Sequence, residues 1–324
     1  MTLAFDERQI LQNLYATARP EEGNWNTFLH GLAASLRATS GWIGLSDGQT
    51  HHDWHFGAAI ALTREAPRRL REGRVYTQDD LAPAGPPLRA LRMGLPAGGA
   101  IWLALGRAGA DFRATDSALL DRLGPHLQTA ARTWCLLAAE RARARHHAAI
   151  AGRLGCGWIS LDAIGRLRDA DPPARTLIAA HPALAITPDG RLEATDPANA
   201  RALRQAIEAA GQGVSTLLDL GGLQLTLAGD SSAPGATLAY LRAPPKAADL
   251  APGQLAAALG LTRAESRLAA RLADGDSLAQ AAEHLGWSIE TTRSTSKQIY
   301  ARLGLSGQPA LIRRLTTSAL WLAP

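Results

Sequence analysis

Between Leu261 and Leu305, hydroxyl residues and glycines punctuate the chain in alternation: Thr262, Gly275, Ser277, Gly286, Ser288, Gly304. Thr262 precedes Glu265 by three residues and Ser277 precedes Gln280 by three, the spacing of a capping box, in which hydroxyl and acid or amide satisfy each other's backbone N–H. Ser288 is followed by Thr291 and lacks the reciprocal partner, although Glu290 still sets negative charge at a helix start. Each glycine stands where a helix needs a left-handed residue to stop. The stretch therefore reads as three short helices with short connections.

Leu268, Leu272, Ala281, Ala282, Leu285, Trp287, Ile299 and Leu303 recur at helical intervals and give each helix one apolar stripe. Between Ser288 and Ile299 the third helix is mostly Thr, Ser, Arg, Lys and Gln. Arg293, Ser294 and Lys297, at i, i+1 and i+4, share a face. A braced helix with donors on one face suits a DNA major groove, where every base pair shows its own donor and acceptor pattern.

The stretch resembles the LuxR-type helix-turn-helix, matching its pattern at Leu261, Thr262, Glu265, Ala273, Gly275, Ser277, Ala282, Leu285, Ser288, Thr291, Ile299, Leu303 and Gly304, with Arg293 and Arg302 in place of Lys. It departs at Trp287, Thr292 and Thr295, where the family has an aliphatic residue, Val and His, and at Leu278-Ala279-Gln280. The resemblance implies a double-stranded DNA partner, with Arg293, Ser294 and Lys297 facing bases and Thr262, Ser277, Thr291 and Arg302 touching phosphates. It also implies paired half-sites, hence a homodimer.

Charge agrees with that placement. From Ile289 onward five cations, Arg293, Lys297, Arg302, Arg313 and Arg314, face Glu290 alone, in a chain whose net charge is only +5. With 324 residues, the chain is too long for one bundle. No apolar run is long enough to span a membrane, and the charged, amphipathic N-terminus is unlike a signal peptide, so a cytoplasmic protein is expected. Cys135 and Cys156 have neither disulfide-framework nor zinc-site spacing.

Residues 1–114 read as two helices followed by short strands. Ile10, Leu11, Leu14 and Tyr15 form one stripe, and Trp25, Phe28, Leu29, Leu32 and Leu36 another. Period-two stretches follow in GWIGLSD and HHDWHFGA, and again in GAIWLALGR, the order of an α+β domain. That order is similar to GAF-type sensor domains, which implies a small-molecule pocket that Trp42, Trp54, Phe56 and Trp102 would line. HHDWH, residues 51–55, offers metal-ligand types, but adjacent strand residues His51 and His52 point to opposite faces. No metal or cofactor is expected.

Residues 115–154 read as a connecting helix with Thr115 at its N-cap. Leu120, Leu123, Leu127, Trp134 and Leu137 follow an a/d seam suited to pairing two copies or to packing within one chain, with Pro125 expected to kink the helix or restart it. Residues 155–243 alternate strands and helices, with hairpin signals such as Pro188-Asp189-Gly190, and WISLDAIGRL is similar to the opening hairpin of a PAS domain. Residues 244–254 are a Pro- and Ala-rich linker, and 255–324 carry the helix-turn-helix with a fourth amphipathic helix, QPALIRRLTTSALWLA.

The phosphate-loop, dinucleotide, nucleophile-elbow and HExxH patterns are all absent, so no enzyme is expected. The expectation is a multidomain α+β DNA-binding regulator under the control of an unidentified small-molecule or protein effector. Two alternatives stay open: a metal-dependent enzyme using residues 51–55, and an acyl-lactone quorum-sensing receptor.

Overall fold

The structure is a computed structural model and describes residues 2–17, 25–60, 71–81, 85–231, 233 and 235–322; side chains of the first helix are described from Glu7 on. The chain is mixed α+β with antiparallel sheets, and it divides into two compact units, residues 1–143 and 144–324. Among the described residues no helix is long and apolar enough to cross a membrane.

In the first unit α1 (Thr2–Ala16) and α2 (Trp25–Ser35) precede β1 (Ser40–Ser46) and β2 (His51–Phe56). Then come β3 (Val75–Thr77), the single turn α3 (Gln78–Leu81), β4 (Leu88–Gly94), β5 (Ala100–Gly106) and the first thirty residues of the helix α4 (Ala114–Arg153), whose remainder belongs to the second unit. The strands form one antiparallel sheet in the order β2-β1-β5-β4-β3. Period-two alternation gives that sheet two distinct faces. Ile43, Leu45, Leu91, Leu103 and Leu105 pack against Trp25, Phe28, Leu29 and Leu32 of α2 and Leu120, Leu123 and Leu127 of α4. On the opposite face Leu88, Ala90 and Ala104 make a smaller cluster with Trp42, Ile60 and Leu81.

The start of α4 is fixed by charge. Arg89, buried on β4, holds both carboxylate oxygens of Asp111 at 3.0 and 3.1 Å and donates Nε–H to Ser117 at 3.0 Å. The guanidinium groups of Arg89 and Arg107 both approach the Phe112 ring, their carbons 5.3 and 4.3 Å from its centre. The Arg89 bond holds the Asp111 carboxyl below its usual range. Thr115 is not the cap: the helix begins at Ala114, and the Arg113 amide donates to Asp116 Oδ2 at 2.9 Å. Nor does Pro125 end the helix, which continues to Arg153 as one element.

In the second unit β6 (Cys156–Leu161) and β7 (Leu167–Ala170) lead to α5 (Pro172–Ala180) and the hairpin β8 (Leu184–Ile186) and β9 (Leu192–Ala194). There follow α6 (Pro197–Gly211), β10 (Thr216–Asp219), β11 (Gln224–Gly229) and β12 (Thr237–Arg242). Asp171 and Asp196 cap α5 and α6, each before a proline whose missing N–H costs nothing in the first turn. The five-stranded sheet runs β10-β11-β12-β6-β7. One face buries Ile159, Leu161, Leu225, Leu227, Ala239 and Leu241 against α5 and α6. The other leaves Leu217 and Tyr240 exposed, with Tyr240 opposite Trp158 in register.

The remaining helices, α7 (Pro252–Leu259), α8 (Arg263–Ala273), α9 (Leu278–Leu285), α10 (Ile289–Leu303) and α11 (Gln308–Thr316), enclose a third core of Leu255, Leu268, Leu272, Ala281, Ile299, Leu311 and Leu315. The Pro- and Ala-rich stretch before them is anchored there. Ala247 is buried in this core, and Asp274 accepts from the amides of Ala247 and Ala248 at 2.6 and 2.8 Å.

Candidate nucleic-acid interface

Local chemistry sets each helix of the bundle. Thr262 Oγ1 accepts from the Glu265 amide at 3.2 Å, and Glu265 Oε2 accepts from the Thr262 amide at 2.7 Å; Ser277 and Gln280 repeat the exchange at 3.3 and 2.9 Å. Ser288 Oγ accepts from the Thr291 amide at 3.1 Å with no reciprocal partner. Gly286 and Gly304 end their helices in the left-handed conformation, and Gly275, at φ +100°, follows Asp274, the C-cap of α8.

Thr292, Ser296 and Ile299 of α10 face the core, with Leu303 half-buried a turn beyond. Two of these are polar, yet neither hydroxyl is stranded. Thr292 donates to the Ser288 carbonyl at 3.0 Å and Ser296 to the Arg293 carbonyl at 2.9 Å, so each satisfies itself within the helix. A threonine therefore serves at a place where the resembling family keeps valine. Trp287 is half-buried against the same core.

The opposite side of α10 is open. Arg293, Ser294 and Lys297 are exposed together, and among the described residues their side chains have no hydrogen-bond or ion-pair partner. Thr262, Ser277 and Thr291 are also exposed. The Ser277 hydroxyl accepts an amide proton and keeps its own O–H to donate, the Thr262 hydroxyl accepts an amide proton beside the Glu265 carboxylate, and Thr291 shares a hydrogen bond of 3.0 Å with Ser288.

Arg302 is differently placed. Its Nη2 lies 3.3 Å from Glu265 Oε1, joining α10 to the capping box of α8. The Thr262 amide, its hydroxyl and Arg302 together hold the Glu265 carboxyl below its usual range against the opposing effect of burial. Sequence reasoning missed one contribution to this architecture. Gln308 Nε2 donates to the carbonyls of Leu272 and Asp276, both at 2.9 Å, and so fixes the turn between α8 and α9. A long-range side-chain bond of that kind leaves no local pattern. Glu290, read from the sequence as a charge at the helix start, also shares the open stripe of Ser294 and Lys297, a placement given by its spacing at i, i+4 and i+7.

The residues assigned upstream to a pocket do not come together. Trp42 and Trp102 lie on one face of the first sheet: Trp42 pairs with Ala104, Trp102 pairs with Gly44, and the Trp42 ring lies over Gly44. Trp54 pairs with Ile43 and Phe56 with Gly41, which puts them on the face covered by helices. There the Trp54 ring centre is 5.6 Å from that of Trp25 and 5.8 Å from that of Trp134. Strand register, which the sequence does not print, divides the four. On the open face Asp53 accepts from the Trp42 indole at 2.8 Å and contacts His51 at 3.2 Å. Among the described residues no three potential ligands are grouped to hold a metal ion.

The dimer seam is corrected as well. Leu120, Leu123 and Leu127 are fully buried in the first unit's own core and Trp134 packs on it, which leaves Leu137 as the exposed member. The same spacing serves a helix laid on a sheet and a helix laid on a helix.

No family model matches the chain, and no curated protein matches it. Among solved structures, a phage VqmA–DPO complex is 18% identical over 57% of this chain and 94% of that one, with a TM-score of 0.25. A Vibrio cholera VqmA–ligand–DNA complex is 17% identical over 49% and 82%, with a TM-score of 0.24. The E. coli DhaR(N)–DhaL complex is 17% identical over 76% and 90%, with a TM-score of 0.30. Likeness at this level leaves the reading of the site to the residues themselves.

Proposed function

We propose that the chain is a DNA-binding regulator and not an enzyme, with a LuxR-type helix-turn-helix in residues 255–324 governed by the regions before it. One observation carries the reading: α10 packs on α8 and α9, each begun by a complete capping box, while Arg293, Ser294 and Lys297 stand exposed and unpaired along its outer side. Buried on one face and offering donors on the other, such a helix can enter a major groove, with Arg and Lys directed at guanine O6 and N7. Thr262, Ser277 and Thr291 are assigned to phosphates. Arg302 is assigned there too, sharing its guanidinium with Glu265.

Upstream, residues 1–114 act as a GAF-like sensor, 115–154 as the connecting helix, 155–243 as a PAS-like domain and 244–254 as a linker, in a cytoplasmic homodimer that reads paired half-sites. Trp42 and Trp102, on the face of the first sheet away from the helices, are the pocket residues of this reading, because aromatic side chains suit the wall of a site for a small apolar effector. Contacts between copies are assigned outside the buried Leu120, Leu123 and Leu127.

The test is a salt-controlled gel shift on a duplex selected by the full chain. Lys297→Ala should weaken specific binding by about tenfold. Unchanged affinity at matched salt removes the assignment.

A further inference from the structure

A carboxylate stands at the N-terminal end of this cationic stripe. Glu290 is exposed in the first turn of α10 and lies on one stripe with Ser294 and Lys297, at i, i+4 and i+7. Among the described residues no ion pair or hydrogen bond engages it, and Arg293, three residues on, does not close the pair that the spacing allows. An acid there opposes the field that draws DNA in, so its place on the stripe calls for a compensating contact.

We infer that Glu290 is a specificity-determining residue that selects cytosine in the major groove, an inference that rests on the DNA-binding function proposed above. The groove edge of cytosine offers an N4 amino donor, which a carboxylate accepts. Guanine and thymine present acceptors there, and adenine sets its N7 acceptor beside the amino group, so each repels a carboxylate at least in part. The residue thus discriminates as much by exclusion as by attraction. Helix-dipole stabilisation at the N-terminus is a separate contribution, which moves stability and leaves base preference alone.

The experiment is selection of binding sites from randomised duplexes by the full-length wild-type protein, Glu290→Gln and Glu290→Ala, with thermal denaturation of each. The wild type should prefer cytosine over thymine at one position by about tenfold. In Glu290→Gln that preference should move to adenine, whose N6 and N7 suit an amide. In Glu290→Ala it should flatten, while binding to unrelated duplexes becomes tighter because a like charge is gone. If the wild type selects a site and both variants select the same site with the same discrimination, this inference fails alone. If the wild type enriches no sequence, the DNA-binding reading falls and this inference with it.

Discussion

The two five-stranded sheets share one strand order. Numbered within each sheet it is second, first, fifth, fourth, third, as β2-β1-β5-β4-β3 and as β7-β6-β12-β11-β10. Each covers one face with helices, and the other faces differ. In the first sheet that face holds a buried cluster around Ala90 and Ala104, with Trp42 packed on it. In the second the corresponding face displays Tyr240, 53% exposed, and Leu217, 66% exposed. Topology therefore sets which strands meet, while side-chain volume at alternate positions sets what each face can hold.

The helix-covered faces should respond alike and most strongly. Leu103→Ala in the first sheet and Leu227→Ala in the second each remove a fully buried side chain and should cost about 2–5 kcal/mol, read by urea denaturation. A large loss in one sheet only would break the equivalence. The opposite faces should then separate. Ala104→Leu overfills a packed floor and should cost about 1–3 kcal/mol. Thr226→Leu, on the exposed face of β11, should change stability by no more than about 0.5 kcal/mol.

The bundle, which has no sheet, supplies the contrast with both. Glu265→Gln removes the charge from a capping box and from the Arg302 pair, and should lower the bundle's stability by about 1 kcal/mol near neutral pH. The folded pKa of Glu265 is lowered. Its contribution is therefore complete above the ordinary carboxylate range and drains away as pH falls through the folded value. Wild type and Glu265→Gln should converge in acid, and a gap that stays constant with pH would remove the charge from the explanation.

Legibility followed the range of the interactions. Caps at Thr262, Ser277 and Ser288 and stops at Gly286 and Gly304 involve neighbours within a turn, and the structure has them where the residues imply. The open stripe of α10 was legible because helical spacing alone decides which residues share a side. Thr292 is the instructive case: its departure from the resembling pattern is absorbed by a hydroxyl that bonds its own helix. Failures came where register or partner choice enters. Thr115 lies inside α4, where Asp116 accepts from the Arg113 amide and is held from outside the helix by Arg107. The stripe of Leu120, Leu123 and Leu127 was visible as a stripe, but the surface it meets was not.

By itself the sequence determined the helices of residues 261–305, their ends and the side from which Arg293, Ser294 and Lys297 project, because hydrogen bonds and a 3.6-residue period act within a few residues. Only the tertiary structure decided that Trp42 and Trp102 share a face from which Trp54 and Phe56 are excluded. Antiparallel register is an agreement between distant strands, and a shift of one residue reverses every side chain.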